Sequence, residues 1–141
     1  MMAEVFLDTA YAIALSSPND HFHPRAIRLA EQIEAEGTQL VTTRAVLLEI
    51  GNALSRHRHR DAAIRLLDAL EADPIVQIIP LSESLCAQAL RLYRDRPDKE
   101  WGLTDCVSFV VMQDRRMAEA LTADEHFQQA GFRVLMRGDS P

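Results

Sequence analysis

Cysteine, lysine and long apolar runs are all scarce in this 141-residue sequence. Cys86 and Cys106 are its only cysteines, too few and too far apart for a disulfide framework or a thiolate zinc site. That scarcity suits a reducing compartment, and both thiols are expected to be small core residues. No stretch is long and apolar enough to span a bilayer, and Met1 to Leu7 lacks the basic flank and the length of a secretion signal. The expectation is a soluble, cytoplasmic protein with no membrane association. Lysine occurs once, at Lys99, so fourteen of the fifteen basic residues are arginine. Arginine suits bidentate contact with phosphate, although the same bias follows from genomic base composition. Histidines at metal-ligand spacing are also missing. His57 and His59 stand in Arg56-His57-Arg58-His59-Arg60, and on a helix that spacing points their rings in different directions.

What is present is acid. A net charge of −6 argues at first sight against a polyanionic partner. If four acids are committed to a metal, however, seventeen remain against fifteen bases, which is close to neutral. A hydrophobic content of 48% is enough to bury a core, and the length fits one domain over residues 1–141.

Strand and helix signals alternate along the chain. Glu4 to Leu7, Leu40-Val41, Ile75 to Ile79, Met117 to Thr122 and Phe132 to Met136 read as strands. Between them, Thr9 to Leu15 and Pro24 to Glu36 read as helices, the second stopped by Gly37. Thr42 or Thr43 is a suitable N-cap for a helix whose stripe is Val46, Leu47, Ile50, Ala53 and Leu54. Arg60 to Ala72 follows with Ile64, Leu67 and Leu70 inward, and Ser82 caps a helix carrying Leu85, Ala89, Leu92 and Tyr93. A polar loop from Arg94 to Gly102 leads to Thr104, the expected N-cap of a helix over Asp105 to Gln113. Such alternation implies a mostly parallel sheet covered by helices, a three-layer α/β/α domain.

In open parallel sheets the functional crevice lies outside the carboxyl ends of the strands, and Asp8 and Asp124 both follow strands there. Glu49 is a charge inside the apolar run Val46-Leu47-Leu48-Glu49-Ile50, where a buried ion needs a partner. Singly, each acid is also explained as a helix cap or a solvated charge, and Asp105 in a first turn is favoured by the helix dipole. Crowded together, carboxylates repel unless cations hold them. Mg²⁺ or Mn²⁺ meets that demand with oxygen ligands alone and suits phosphodiester hydrolysis, whereas zinc is the poorer fit.

Around these acids the sequence resembles the PIN domain family of small metal-dependent ribonucleases, which includes VapC-type toxins. The resemblance is carried by Phe6-Leu7-Asp8-Thr9, by Leu48-Glu49-Ile50-Gly51-Asn52-Ala53-Leu54, by Trp101-Gly102-Leu103-Thr104-Asp105-Cys106-Val107-Ser108-Phe109, and by Leu121-Thr122-Ala123-Asp124-Glu125-His126-Phe127. Their order and spacing are more specific than any single motif. The resemblance implies a PIN-like α/β/α fold and an endoribonuclease in which Asp8, Glu49, Asp105 and Asp124 hold Mg²⁺ or Mn²⁺. Thr9, Thr104 and Ser108 would be supporting hydroxyls around them. It further implies a toxin with RNA as substrate, a cognate antitoxin protein as partner, and a homodimer. The alternative is a PIN-fold module that binds RNA or assembles without cutting. A haloacid-dehalogenase phosphatase would need an Asp at position 10, where this chain has Ala.

Arg91, Arg94 and Arg96, with Lys99, lead toward Asp105 and are the candidate RNA contacts. Arg56 to Arg60 reads as a solvated turn or a surface for another chain before an RNA grip. Trp101 reads as a packing anchor of its loop before a base-stacking platform. His21, His23, Asp20, Asp98 and Glu100 read as solvated loop residues.

Overall fold

Val5, Phe6 and Leu7 are all buried, so the first strand is a continuous apolar run rather than an alternating one, as a strand covered on both faces requires. The computed structural model describes residues 3–137. Strands β1 (Glu4–Leu7), β2 (Gln39–Thr43), β3 (Val76–Ile79), β4 (Glu119–Leu121) and β5 (Arg133–Val134) form one sheet, parallel throughout, in the order β3-β2-β1-β4-β5. The register sets Phe6 beside Val41 on one side and Ala120 on the other.

Seven helices connect the described strands: α1 (Thr9–Ser16), α2 (His23–Glu36), α3 (Arg44–Ala53), α4 (His57–Ala72), α5 (Glu83–Asp95), α6 (Leu103–Asp114) and α7 (Glu125–Gln129). Parallel crossovers are right-handed in nearly every known case. The steps from β1 out to β3 and the return steps to β4 and β5 therefore carry their helices on opposite faces. The expected three-layer α/β/α architecture is borne out, with a wholly parallel sheet. Among the described residues, no helix is long and apolar enough to cross a membrane.

Helix α6 is enclosed, every residue from Cys106 to Met112 being buried. Phe109 lies edge-on to Trp101 at 5.0 Å and to Phe127 at 4.9 Å, so one aromatic group ties α6 to α7. Trp101 is itself buried, and its indole N–H donates to Gln129 Oε1 at 3.0 Å, which makes it the packing anchor expected of it.

Several local expectations need correction. Helix α6 begins at Leu103 with Gly102 as N-cap, not with Thr104. The Asp105 carboxylate accepts the Gly102 N–H at 3.3 Å and so starts the helix earlier. In α4 the buried stripe is Ala63 and Leu70 with Leu66 and Leu67 beside it, which leaves Ile64 on the outer face, 50% exposed. The helix also starts at His57 rather than Arg60. Leu48 is 63% exposed and Glu49 only half-buried, so Glu49 sits at the rim of its stripe rather than within a buried run. Ala53 and Tyr93 likewise face outward. Cys106 is buried, but Cys86 is only half-buried, at the margin of the core.

Candidate active site

The strand order reverses between β1 and β4. The chain runs outward from β1 to β3, then returns to lay β4 on the other side of β1. At such a switch point the flanking connections leave in opposite directions and open a crevice beyond the strand ends. Asp8 is the first residue after β1, and its N–H donates to the Leu121 carbonyl at the end of β4 at 3.3 Å. Thr122 is the first residue after β4 and Asp124 the third.

Asp8 is the most deeply placed acid, at 6% exposure. Thr122 Oγ1 donates to its Oδ2 at 2.8 Å, and the same hydroxyl accepts the Asp124 N–H at 3.1 Å. One threonine thus fixes both strand-end acids. Burial pushes the Asp8 carboxyl up to about 7. The Thr122 hydroxyl and the Thr9 backbone N–H oppose the rise, while the charges of Glu49 and Asp105 add to it.

Glu49 arrives on α3, which Thr43 caps by accepting the Val46 N–H at 3.2 Å. The Thr9 hydroxyl donates to Glu49 Oε1 across the start of α1. Asp105 stands in the first turn of α6, and Asp124 is the N-cap of α7, accepting the His126 N–H at 2.9 Å. The His126 ring bridges these two acids: its Nδ1 is 3.1 Å from Asp105 Oδ2 and 3.5 Å from Asp124 Oδ1. Burial raises the Asp105 carboxyl, His126 opposes that rise, and the charge of Asp124 reinforces it.

The four acids therefore share one end of the sheet but not one tight cluster. Asp105, Asp124 and His126 offer donor atoms within 4.8 Å of one another, a spacing that suits a single ion, and Asp8 and Glu49 stand outside that trio. Asp8 joins the two halves through its electrostatic coupling to both Glu49 and Asp105. Thr122 and His126 went unremarked in the sequence reading. Both lie two residues from Asp124 in the segment that carried the resemblance, where only the acid was weighed.

The other named residues fall into different environments. Ser108 is buried and turns its hydroxyl to the Thr104 carbonyl at 3.1 Å, within its own helix. Arg91 and Arg94 are exposed on α5, whereas Arg96 forks onto Asp98 at 3.0 and 2.9 Å and lies 5.1 Å over the Trp101 ring. His23 Nδ1 is 2.7 Å from the Ala14 carbonyl and Asp20 accepts the Phe22 N–H, so both serve the α1–α2 turn. Arg56, Arg58 and Arg60 are exposed around the start of α4.

The sequence profile of the PIN domain matches residues 5–133. The chain belongs to the PIN domain family. This PIN domain is 27% identical over 128 residues to the 23S rRNA-specific endonuclease VapC20 of Mycobacterium tuberculosis, covering 91% of this chain and 95% of that one. The crystal structure of Mycobacterium tuberculosis VapC20, a sarcin-ricin loop cleaving toxin, aligns with a TM-score of 0.81 at 26% identity, over 91% of this chain and 95% of that one. VapBC2 from Rickettsia felis, bound to a DNA fragment from its promoter, shares the fold at a TM-score of 0.68 and 14% identity, over 93% and 96% of the two chains. FitAcB from Neisseria gonorrhoeae shares it at 0.64 and 18%, again over 93% and 96%. The resemblance to VapC-type PIN domains is borne out, and with it the expectation of a ribonuclease-type hydrolase.

Proposed function

We propose that this PIN domain is a divalent-metal-dependent endoribonuclease, with Mg²⁺ or Mn²⁺ as its ion, and the toxin of a toxin–antitoxin pair. The observation that carries the reading is the gathering of Asp8, Glu49, Asp105 and Asp124 at the β1/β4 switch point, with Asp8 raised to about 7 by burial and like charge. Carboxylates held together in this way favour a cation, and oxygen donors suit a hard divalent ion.

The donor set fits such an ion: Asp105 and Asp124 would hold it, and Asp8 and Glu49, outside that tight group of donors, would complete its acidic surroundings. When bound, it supplies Lewis acidity toward the phosphate and a hydroxide nucleophile at neutral pH. The protein's own part is positioning. Thr122 fixes the Asp8 carboxylate, and Thr9 fixes that of Glu49. The helix starts of α6 and α7 present Asp105 and Asp124 from rigid backbone. Arg91 and Arg94, exposed on α5, are the candidate phosphate contacts for RNA, whereas Arg96 must first leave Asp98.

Similarity to VapC20 over nearly the full length of both chains supports RNA as substrate and makes 23S ribosomal RNA the first one to test. It also supports an antitoxin as partner. A basic side chain from that partner, set among the acids, would block the site by charge complementarity. The homodimer implied by the family resemblance belongs to the same proposal, and sedimentation equilibrium measures it. The decisive experiment incubates the purified protein with total RNA in Mg²⁺, Mn²⁺ or EDTA and maps the new RNA ends against Asp8→Asn. Metal-dependent ends absent from the variant are expected. Cleavage that survives both EDTA and Asp8→Asn would sink the proposal.

A further inference from the structure

The function proposed above gives the ion only carboxylate oxygens, yet the structure sets one nitrogen among them. His126 Nδ1 faces Asp105 Oδ2 at 3.1 Å and Asp124 Oδ1 at 3.5 Å, and the three donor atoms fit the shell of one ion. The ring is held there rather than swinging free. His126 lies in the first turn of α7, its backbone N–H is bonded to Asp124 Oδ1 at 2.9 Å, and its side chain is only 27% exposed.

Imidazole nitrogen and carboxylate oxygen do not serve all divalent ions equally. Mg²⁺ is hard, keeps its waters, and gains little from a nitrogen donor. First-row transition ions gain more, in the order of their affinities for mixed nitrogen and oxygen sites. We propose that His126 sets the metal preference of this site: with Asp105 and Asp124 it offers a nitrogen and oxygen set that favours Mn²⁺ over Mg²⁺. This rests on the metal-nuclease reading above. The rival role for the ring is that of a hydrogen-bond donor that only orients the two acids. In that role its loss would weaken every divalent ion alike, and a glutamine, which also donates, would replace it.

The test titrates the full chain with MnCl₂ and with MgCl₂ by calorimetry, in wild type, His126→Gln, His126→Ala and Asp105→Asn, with melting curves to confirm folding. Pulsed electron paramagnetic resonance of the Mn²⁺-loaded samples reads nitrogen coupling directly. The expected result is Mn²⁺ affinity lowered about tenfold or more in both His126 variants, with Mg²⁺ affinity changed by less than about twofold. A ¹⁴N coupling present in wild type and lost in His126→Gln is the accompanying signature. Equal weakening for both ions, rescue by glutamine, or Mn²⁺ bound without nitrogen coupling would overturn this inference while leaving the metal-nuclease reading intact. Failure of wild type to bind either ion would overturn both.

Discussion

The two ends of the sheet treat charge in opposite ways. At the amino end, where strands begin, Arg115 closes on Glu4 at 2.6 Å and on Gln77 at 2.9 Å, and Arg133 meets Glu119 at 3.2 Å. At the carboxyl end, Asp8, Glu49, Asp105 and Asp124 are held by threonine hydroxyls, backbone N–H groups and the His126 ring, and among the described residues no guanidinium is bonded to them. The broad depression of about 980 Å³ lined by Glu4, Gln39, Arg115, Arg116 and Glu119 lies at the paired end. Paired opposite charges are a structural arrangement with a small net worth. Like charges gathered in a partly buried place cost stability, and such a group is a candidate cation site.

The largest effects should separate the two ends cleanly. Asp8→Asn or Asp105→Asn is expected to lower RNA cleavage by about 1000-fold or more with the circular dichroism spectrum unchanged, whereas Glu4→Gln at the paired end should change it by less than about twofold. Equal losses at both ends, measured as single-turnover cleavage rates, would erase the contrast.

The next effect is on stability. The Asp8 carboxyl rises from 3.8 to about 7 on folding, so between those values the folded state holds a proton that the unfolded state has released. Metal-free protein should therefore lose stability as pH rises through this window, by at most about 1.4 kcal/mol per pH unit. Denaturant melts in EDTA at pH 5 and pH 7.5 read this directly. Asp8→Asn should flatten the dependence, and saturating Mn²⁺ should reverse it, since metal competes with the proton.

Thr122→Val should lower divalent-ion affinity about tenfold by releasing Asp8 from its hydroxyl, as calorimetry would show. The smallest change belongs to the paired end. Arg115→Ala should cost about 1 kcal/mol or less in a urea melt, because both partners of that ion pair are about one-third exposed, and cleavage should be unaffected.

Much of the architecture was legible because it is written in local patterns. The apolar run ending in Asp8, the Ser82 cap and the Gly37 stop stand in the structure as read, and of Thr42 and Thr43 it is Thr43 that caps α3. Gly37 carries the left-handed φ of 66° that ends α2. Errors arose where the outcome depended on what lay opposite. Periodicity in Arg60 to Ala72 fits more than one stripe, and only the packing partners of α4 turn Ala63 rather than Ile64 inward. Thr104 looked like a cap because a polar residue before an acid often is one. Backbone bonding from Gly102 to Asp105 decided otherwise.

By itself, the sequence determined the alternation of strands and helices, the carboxylates at two strand ends, and the motifs that mark a PIN domain. These follow from side-chain periodicity, capping and residue type, which act over a few positions. Tertiary structure alone decided that the strand order reverses between β1 and β4, and so that Thr122 reaches Asp8 across 114 residues of chain. It also split the four acids into two linked halves and set His126 between Asp105 and Asp124. Contacts between distant residues depend on strand order and on the crossing of helices, and the energies that choose those are spread over the whole core rather than written beside the residues they bring together.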